Sequence, residues 1–421
     1  MDINQLLKGV DCTCGRHHAC DIGHVYIENN AAARLETLCA PSQHSLLVAD
    51  DNTYEAAGRG CRPYLQDKLA DQVIFPGDRL LIPNEDAIDA VNGRMQGIDL
   101  IVGVGSGVIQ DLCKYVSHQT GVPYFVVATA PSMDGYASSG AAMITGGMKV
   151  TYSAGVPDAI LADPAVLAKA PMEMIRAGYG DIIGKFSALN DWKLAHVALG
   201  EYFCPYIYDL TWDMLQQTLP LAQKLQQRDE DSVKTLMEAL VVVGIAMSFA
   251  GNSRPASGSE HHYSHFFEIT GIVDGEEYLS HGIDVALSTI YTCRMRQKLL
   301  AAPLPAEAFK LDRAEYESHV RAVYKSVADE CMALQDKLGR YTEDRLSAYK
   351  ANEQAIRQVL AEAPTGEEIE AILKDVGLDL QLFRDTYSPE KIRNAAHWAK
   401  ELKDRYTVLW MYYDIFGLEE L

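Results

Sequence analysis

Between Ser45 and Pro164 short apolar runs recur among helical patterns, and beyond Pro164 they stop. The runs are SLLVAD (45–50), DRLLIP (78–83), IDLIVGVGSG (98–107), PYFVVATAPS (123–132) and AILADP (159–164). Runs this short, closed by Gly, Pro, Asp or Asn, read as buried strands of a mostly parallel sheet, with crossovers between them. After them come long amphipathic helical patterns at 173–199, 232–251, 281–300 and 313–338. The expected architecture is an α/β domain over 1–164 followed by an all-helical domain over 165–421. The seam is Asp163-Pro164, because the residue before a proline is pushed out of the helical region and the periodicity changes there. A length of 421 residues suits two domains with full cores, and ligand sites favour clefts between domains.

Charge and punctuation exclude several classes of function. A formal net charge of -21 repels a phosphate backbone, and no basic patch offsets it, so nucleic-acid and membrane partners are not expected. An anionic substrate has to be met by local donors. The start, MDINQLLKGVDCTCG, lacks the basic leader of a signal peptide, and the longest apolar stretch, 239–251, is short for a bilayer. The expected location is cytoplasmic. Nine cysteines without framework spacing agree with reduced thiols. Three of them stand with two histidines in CTCGRHHAC (12–20), which is either soft metal-binding material or a plain turn with buried thiols.

Three further stretches carry chemistry. In LIVGVGSGVIQDLCKY a strand runs into Gly103, Gly105, Ser106 and Gly107 and then a helix. Such a loop lets backbone N–H groups approach a pyrophosphate, although Val108 breaks the G-x-G-x-x-G spacing and a tight strand-to-helix turn reads equally well. In ATAPSMDGYASSGA, Thr129, Ser132, Asp134 and Ser138 follow the next strand, either at a ligand-binding sheet edge or in a polar loop. In GYGDIIGKFSALNDW, SRPASGSEHHYSHFFE and LSHGIDVALS, the residues Asp181, His261 and His281 could form a two-imidazole, one-carboxylate metal site with an open position. His261 and His265 share a helix face while His262 points away. Ordinary surface or core histidines would show the same spacing, and HExxH is absent.

Taken together, GVGSGVIQD, TAPSMDGYASSGAAM, GYGDIIGKFSALNDW and SRPASGSEHHYSH resemble the iron-containing alcohol dehydrogenase and dehydroquinate synthase superfamily. They are most similar to its sn-glycerol-1-phosphate dehydrogenase branch. The resemblance covers roughly 25–281 and is looser in the tail. It implies NAD(P)-dependent, metal-dependent, reversible reduction of dihydroxyacetone phosphate, with one zinc, nickel or iron ion and a homodimer or larger homo-oligomer. It also implies that the α/β domain over 1–164 is the nucleotide-binding one, that the helical domain over 165–421 binds metal and substrate, and which residues serve each role. Gly103, Gly105, Ser106, Gly107 and Asp111, with Thr129, Ser132 and Ser138, would contact the cofactor, and Asp50 would meet its adenosine ribose. Asp181, His261 and His281 would hold the metal. Asp134, Asp181 and His265 would serve catalysis and touch the small phosphorylated substrate, and Lys185 and Arg254 are the nearest cations for its phosphate. Rival members are a dehydroquinate synthase-like lyase, disfavoured by Asp181 where that family has glutamate, and glycerol dehydrogenase, disfavoured by SRPASGSEH. The charged helices beyond about residue 300 read as a solvated cap or subunit contact.

Overall fold

The computed structural model describes residues 2–79, 81–146 and 148–421. Contacts divide the chain into two compact units, one of Met1–Tyr179 with Gln216–Asn252 and one of Gly180–Leu215 with Ser253–Leu421. The first holds the strands β1 (Val10–Asp11), β2 (His17–His18), β3 (His24–Ile27), β4 (Ser45–Asp50), β5 (Leu69–Phe75), β6 (Leu100–Gly105), β7 (Tyr124–Ala128), β8 (Gly140–Thr145), β9 (Met148–Ser153) and β10 (Ala159–Ala162). Six of them form a parallel sheet in the order β3-β10-β7-β6-β4-β5, and β1-β2 and β8-β9 are antiparallel hairpins. The inner strands β6, β7 and β10 are buried at every position, as a sheet covered on both faces requires. The chain runs outward from β4 to β5, then returns to β6 and continues the opposite way. The reversal between β4 and β6 is the point at which open α/β sheets bind ligands.

One expected strand is corrected. None of the described residues of DRLLIP lies in a strand, and the sheet edge is LADQVIF at β5, whose positions alternate in exposure as an edge strand's do. Pro76 and Gly77 turn the chain away before 78–83, and the Pro83 carbonyl accepts from Ile144 N–H of β8 at 2.9 Å. Strands do give way to helices at Asp163-Pro164, but the compact units do not part there. The helix Glu230–Ala250 packs against the 134–137 turn, so it completes the sheet unit from far along the chain. This helix also revises the bilayer reading. It is long and apolar enough to cross a membrane, with mean hydropathy 1.8, but 72% of that window is buried inside the protein, as in a core helix.

The second unit is helical and is organised around a buried polar network. Asp191, on the helix Lys185–Leu199, pairs with Arg296 at 2.8 Å and accepts from the N–H groups of Ser259 and Val408 at 2.7 and 2.8 Å. One carboxylate thereby holds the start of the helix Ser259–Asp274 and the start of the helix Val408–Phe416. The tail is part of this core, which corrects its reading as a solvated cap. Tyr349, Ile356, Val359, Tyr406 and Trp410 are buried, and Arg345 forms a two-pronged pair with Asp414 at 2.7 Å. Charged residues 336–360 hide this because their apolar positions fall on one face of short helices.

Candidate active site

In the helical unit three segments converge. Asp181 is in the last turn of the helix Met172–Ile183, His261 and His265 are one turn apart on Ser259–Asp274, and His281 opens the helix His281–Ala301. Glycines permit the approach. A Cβ on Gly180 would lie 2.6 Å from Ala286 Cβ and 2.8 Å from the Gly282 carbonyl, and one on Gly184 would lie 2.6 Å from Val285 Cγ1. With no side chain on these two positions, four residues apart on one face, the backbone carrying Asp181 lies directly against the helix carrying His281.

The ligating atoms of Asp181, His261 and His281 all lie within 4.8 Å of one another. Asp181 and His261 are buried and His281 is partly so. His261 Nδ1 donates to Glu260 Oε1 at 2.6 Å, which leaves Nε2 facing Asp181 Oδ1 at 3.6 Å. His281 Nδ1 meets Ser264 Oγ at 3.2 Å. Metal-ligating imidazoles are held in this way, one nitrogen fixed by a partner so that the other carries its lone pair to the ion. Burial opposes the ionisation of Glu260, but the hydrogen bond and charge of His261 outweigh it and lower its pKa. Burial opposes ionisation of Asp181 as well, and the Lys185 ammonium followed by the two imidazoles outweighs it, so the carboxyl is held below the ordinary range. A divalent cation fits this donor set. The oxygen and two oriented nitrogens suit zinc, nickel or iron alike. Glu260→Gln should weaken metal binding by about 10- to 100-fold, read by competition with a chromogenic chelator.

His265 Nδ1 lies 3.5 Å from Glu268 Oε2, and His265, Glu268 and His281 form a second donor group that shares His281. His262 faces elsewhere, as its position on the helix requires. It is wholly buried, and burial followed by the charges of Arg405 and Lys403 pushes its pKa far down, so it stays neutral. The two expected phosphate cations are otherwise engaged. Lys185 is fully buried, with Nζ 2.8 Å from Asp181 Oδ1 and 3.0 Å from the Ala256 carbonyl, so it neutralises the metal-site carboxylate. Arg254 grips Glu201 with Nε at 2.5 Å and with Nη2, and donates Nη1 to the Tyr406 carbonyl at 2.8 Å. In this structure both are held in internal ion pairs.

In the sheet unit the expected cofactor residues gather at the carboxyl ends of neighbouring strands. Asp50 ends β4, Gly103 and Gly105 end β6, and Thr129 follows β7, its N–H reaching the Gly105 carbonyl at 3.3 Å. The glycines divide into two kinds. A Cβ on Gly103 would meet Cys113 Sγ at 2.8 Å and one on Gly105 would meet Ile109 Cβ at 2.7 Å, so these two let the helix Gly107–Thr120 pack on its strand. A Cβ on Gly107 finds only Met133 Cε at 3.7 Å, and the Ser106 side chain does not cap the helix. The first-turn N–H groups are therefore not taken by the Ser106 side chain. Asp50 has a local duty that the sequence reading did not foresee. Its Oδ1 accepts from Thr53 N–H at 2.8 Å in a reciprocal capping box.

Two positioning residues escaped the sequence reading. One is Glu260. The other is Lys114, fully buried one turn after Asp111, which donates to the carbonyls of Gly135 at 3.1 Å and Gly140 at 2.8 Å and approaches Ser138 Oγ at 3.5 Å. Burial lowers its pKa against the pull of Asp111 and Asp134. Lys114 thereby fixes the loop that presents Asp134 and Ser138. Its sequence signal was the cation one turn after Asp111 on the helix that follows the glycine-rich loop.

A parallel sheet with a glycine-rich strand-to-helix loop, joined in one chain to a helical unit holding an Asp-His-His donor set, defines a metal-dependent enzyme of the dehydroquinate synthase-like class. The family described as iron-containing alcohol dehydrogenase matches residues 26–171. A glycerol-1-phosphate dehydrogenase (NAD(P)+) of Geobacillus stearothermophilus is 30% identical over 99% of this chain and 100% of its own. The enzyme of that name from Geobacillus thermodenitrificans is 31% identical over 94% of each chain. The crystal structure of maleylacetate reductase from Agrobacterium tumefaciens shares the fold, with a TM-score of 0.62 at 12% identity over 95% of this chain and 98% of that one. The chain belongs to the glycerol-1-phosphate dehydrogenase family, within the iron-containing alcohol dehydrogenases.

Proposed function

We propose that the protein reversibly reduces dihydroxyacetone phosphate to sn-glycerol 1-phosphate, using NADH or NADPH and one divalent metal ion. The observation that carries this reading is the convergence of Asp181, His261 and His281, with both imidazoles oriented, in a chain of this family. A metal ion held there would supply Lewis acidity towards the substrate oxygen. The chain's own residues do the rest. Glu260 and Ser264 hold the two imidazoles in one tautomer, and Lys185 balances the buried carboxylate of Asp181. His265, one turn from His261, carries the hydroxyl proton, and Asp134 orients the substrate. The first-turn N–H groups after Gly107 take the pyrophosphate, with Gly103, Gly105 and Ser106 shaping the loop. Asp111, Thr129, Ser132 and Ser138 line the cofactor, and Asp50 meets the ribose with the oxygen not spent on Thr53. We further place the enzyme in the cytoplasm as a homodimer or larger homo-oligomer.

The reading is tested by stripping the protein of metal, reloading it separately with zinc, nickel and iron, and following NADH oxidation. Dihydroxyacetone phosphate should turn over at least about 100-fold faster per kcat/KM than dihydroxyacetone, since a phosphate recognised by charge-assisted contacts is worth about 3 kcal/mol or more. Chiral analysis should find the sn-1 product. Equal use of both ketones would favour a glycerol dehydrogenase, and no redox turnover with any metal would favour a lyase.

A further inference from the structure

The CTCGRHHAC segment takes no part in the chemistry described so far, yet the structure builds it with care. It is the hairpin of β1 and β2, with Val10 opposite His18 and Asp11 opposite His17. The connection is a tight turn. Gly15 N–H donates to the Cys12 carbonyl at 3.0 Å, Cys12 N–H donates to the Arg16 carbonyl at 3.0 Å, and Gly15 takes the left-handed conformation at φ +83°. The turn puts the Cys12 and Cys14 side chains beside the His18 ring, and the three ligating atoms lie within 4.8 Å of one another. His18 is 1% exposed, and its Nδ1 donates to the Phe249 carbonyl at 3.0 Å. The neutral ring therefore carries its lone pair on Nε2, which faces Cys14 Sγ at 3.4 Å.

These distances have a specific meaning. In a tetrahedral zinc site, with Zn–S near 2.3 Å and Zn–N near 2.0–2.1 Å, the sulfur-to-nitrogen edge is roughly 3.5 Å. The Cys14–His18 separation already matches it. His18 also shows the fixed second nitrogen of a metal-ligating imidazole, here anchored to a carbonyl in the last turn of the helix Glu230–Ala250. We propose that Cys12, Cys14 and His18 bind a second metal ion, zinc by the softness of its two sulfurs, distinct in donor type from the Asp-His-His set. The fourth position belongs to water or one further protein donor. The ion ties the amino-terminal hairpin to the end of a core helix, and its role is structural. Turnover therefore does not depend on it directly.

The test uses the full chain carrying His261→Ala and His281→Ala, which removes the active-site imidazoles. After stripping with a chelator, this protein should bind one cobalt(II) per chain, with a near-ultraviolet thiolate-to-cobalt charge-transfer band and the visible bands of a tetrahedral ion, and zinc should erase both. Adding Cys14→Ser should abolish the band and lower the bound metal from one to none, with circular dichroism unchanged. If that variant does not fold, the thiol count settles the matter instead. Two thiols of the unsubstituted protein should react with a disulfide reagent only after the metal is stripped. In the otherwise unaltered enzyme, Cys12→Ser and Cys14→Ser should leave turnover within about twofold. No cobalt uptake, uptake without the thiolate band, or thiols equally reactive with and without metal would each overturn the proposal.

Discussion

Asp181→Asn should lower kcat/KM for dihydroxyacetone phosphate by about 10³-fold or more, with loss of the active-site metal. A metal's stabilisation of developing oxygen charge is worth several kcal/mol, and each ~1.4 kcal/mol is a factor of ten. The substitution keeps the side-chain shape and removes the one negative charge among the three donors. It has a second effect that must be kept apart from the first. Lys185 and Asp181 are both fully buried and 2.8 Å apart, so the amide leaves an uncompensated ammonium. Breaking such a pair costs about 3–5 kcal/mol. Asp181→Asn combined with Lys185→Met removes the stranded charge and should recover most of that stability while turnover stays lost. Urea unfolding reads the first quantity and NADH oxidation the second. Recovery of both together would show that Asp181 serves only the fold.

Gly178→Ala should damage the sheet unit as severely as Asp181→Asn damages turnover. Gly178 lies on the helix Met172–Ile183, and a Cβ built there falls onto the carbonyl oxygen of Pro131, in the loop between Thr129 and Ser132. The obstacle is backbone, so no side-chain rotation relieves it. Overpacking a well-filled site costs about 1–3 kcal/mol, and a backbone clash belongs at or above the upper end. Relief by moving the loop would displace Thr129 and Ser132, and NAD(P)H binding measured by fluorescence should weaken about tenfold, the equivalent of ~1.4 kcal/mol. Metal content reads which side gives way, because Asp181 lies three residues further along the same helix and is displaced only if the helix, not the loop, moves. Gly155→Ala is the control, since nothing lies within 4 Å of its added Cβ. Equal stability and cofactor affinity in the two variants would remove the packing argument.

The sequence made the inner sheet legible because strands buried on both faces are continuous apolar runs, and β4, β6, β7 and β10 all fall within runs of that kind. The edge was not legible. β5 carries Asp71 and Gln72 in its middle and looks polar, while DRLLIP looks like a strand and none of its described residues lies in one. Periodicity reports burial, and an edge strand is only half buried. At the site, the convergence of Asp181, His261 and His281 followed from motif resemblance, since residues a hundred positions apart carry no spacing signal of their own. Glu260 was missed because a glutamate beside histidines in a helix reads as a solvated charge, and here it is buried. The ion pair of Arg254 was not legible because its partner Glu201 stands 53 positions away. The tail was misjudged for a related reason. Short helices with one apolar face look like a surface layer until the other side of that face is known.

Three times the chain passes from one compact unit to the other, after Tyr179, after Leu215 and after Asn252. During synthesis the parallel sheet emerges first but remains without the helix Glu230–Ala250, whose apolar surface covers the 134–137 turn. The nascent sheet must therefore wait for about seventy further residues, several seconds of translation at typical rates, before its fold can close. A fragment cut at the strand-to-helix seam after residue 164 would keep that exposed surface permanently and aggregate. Adding the missing segment as a separate peptide, or rejoining it by circular permutation, is the route to an isolated nucleotide-binding unit.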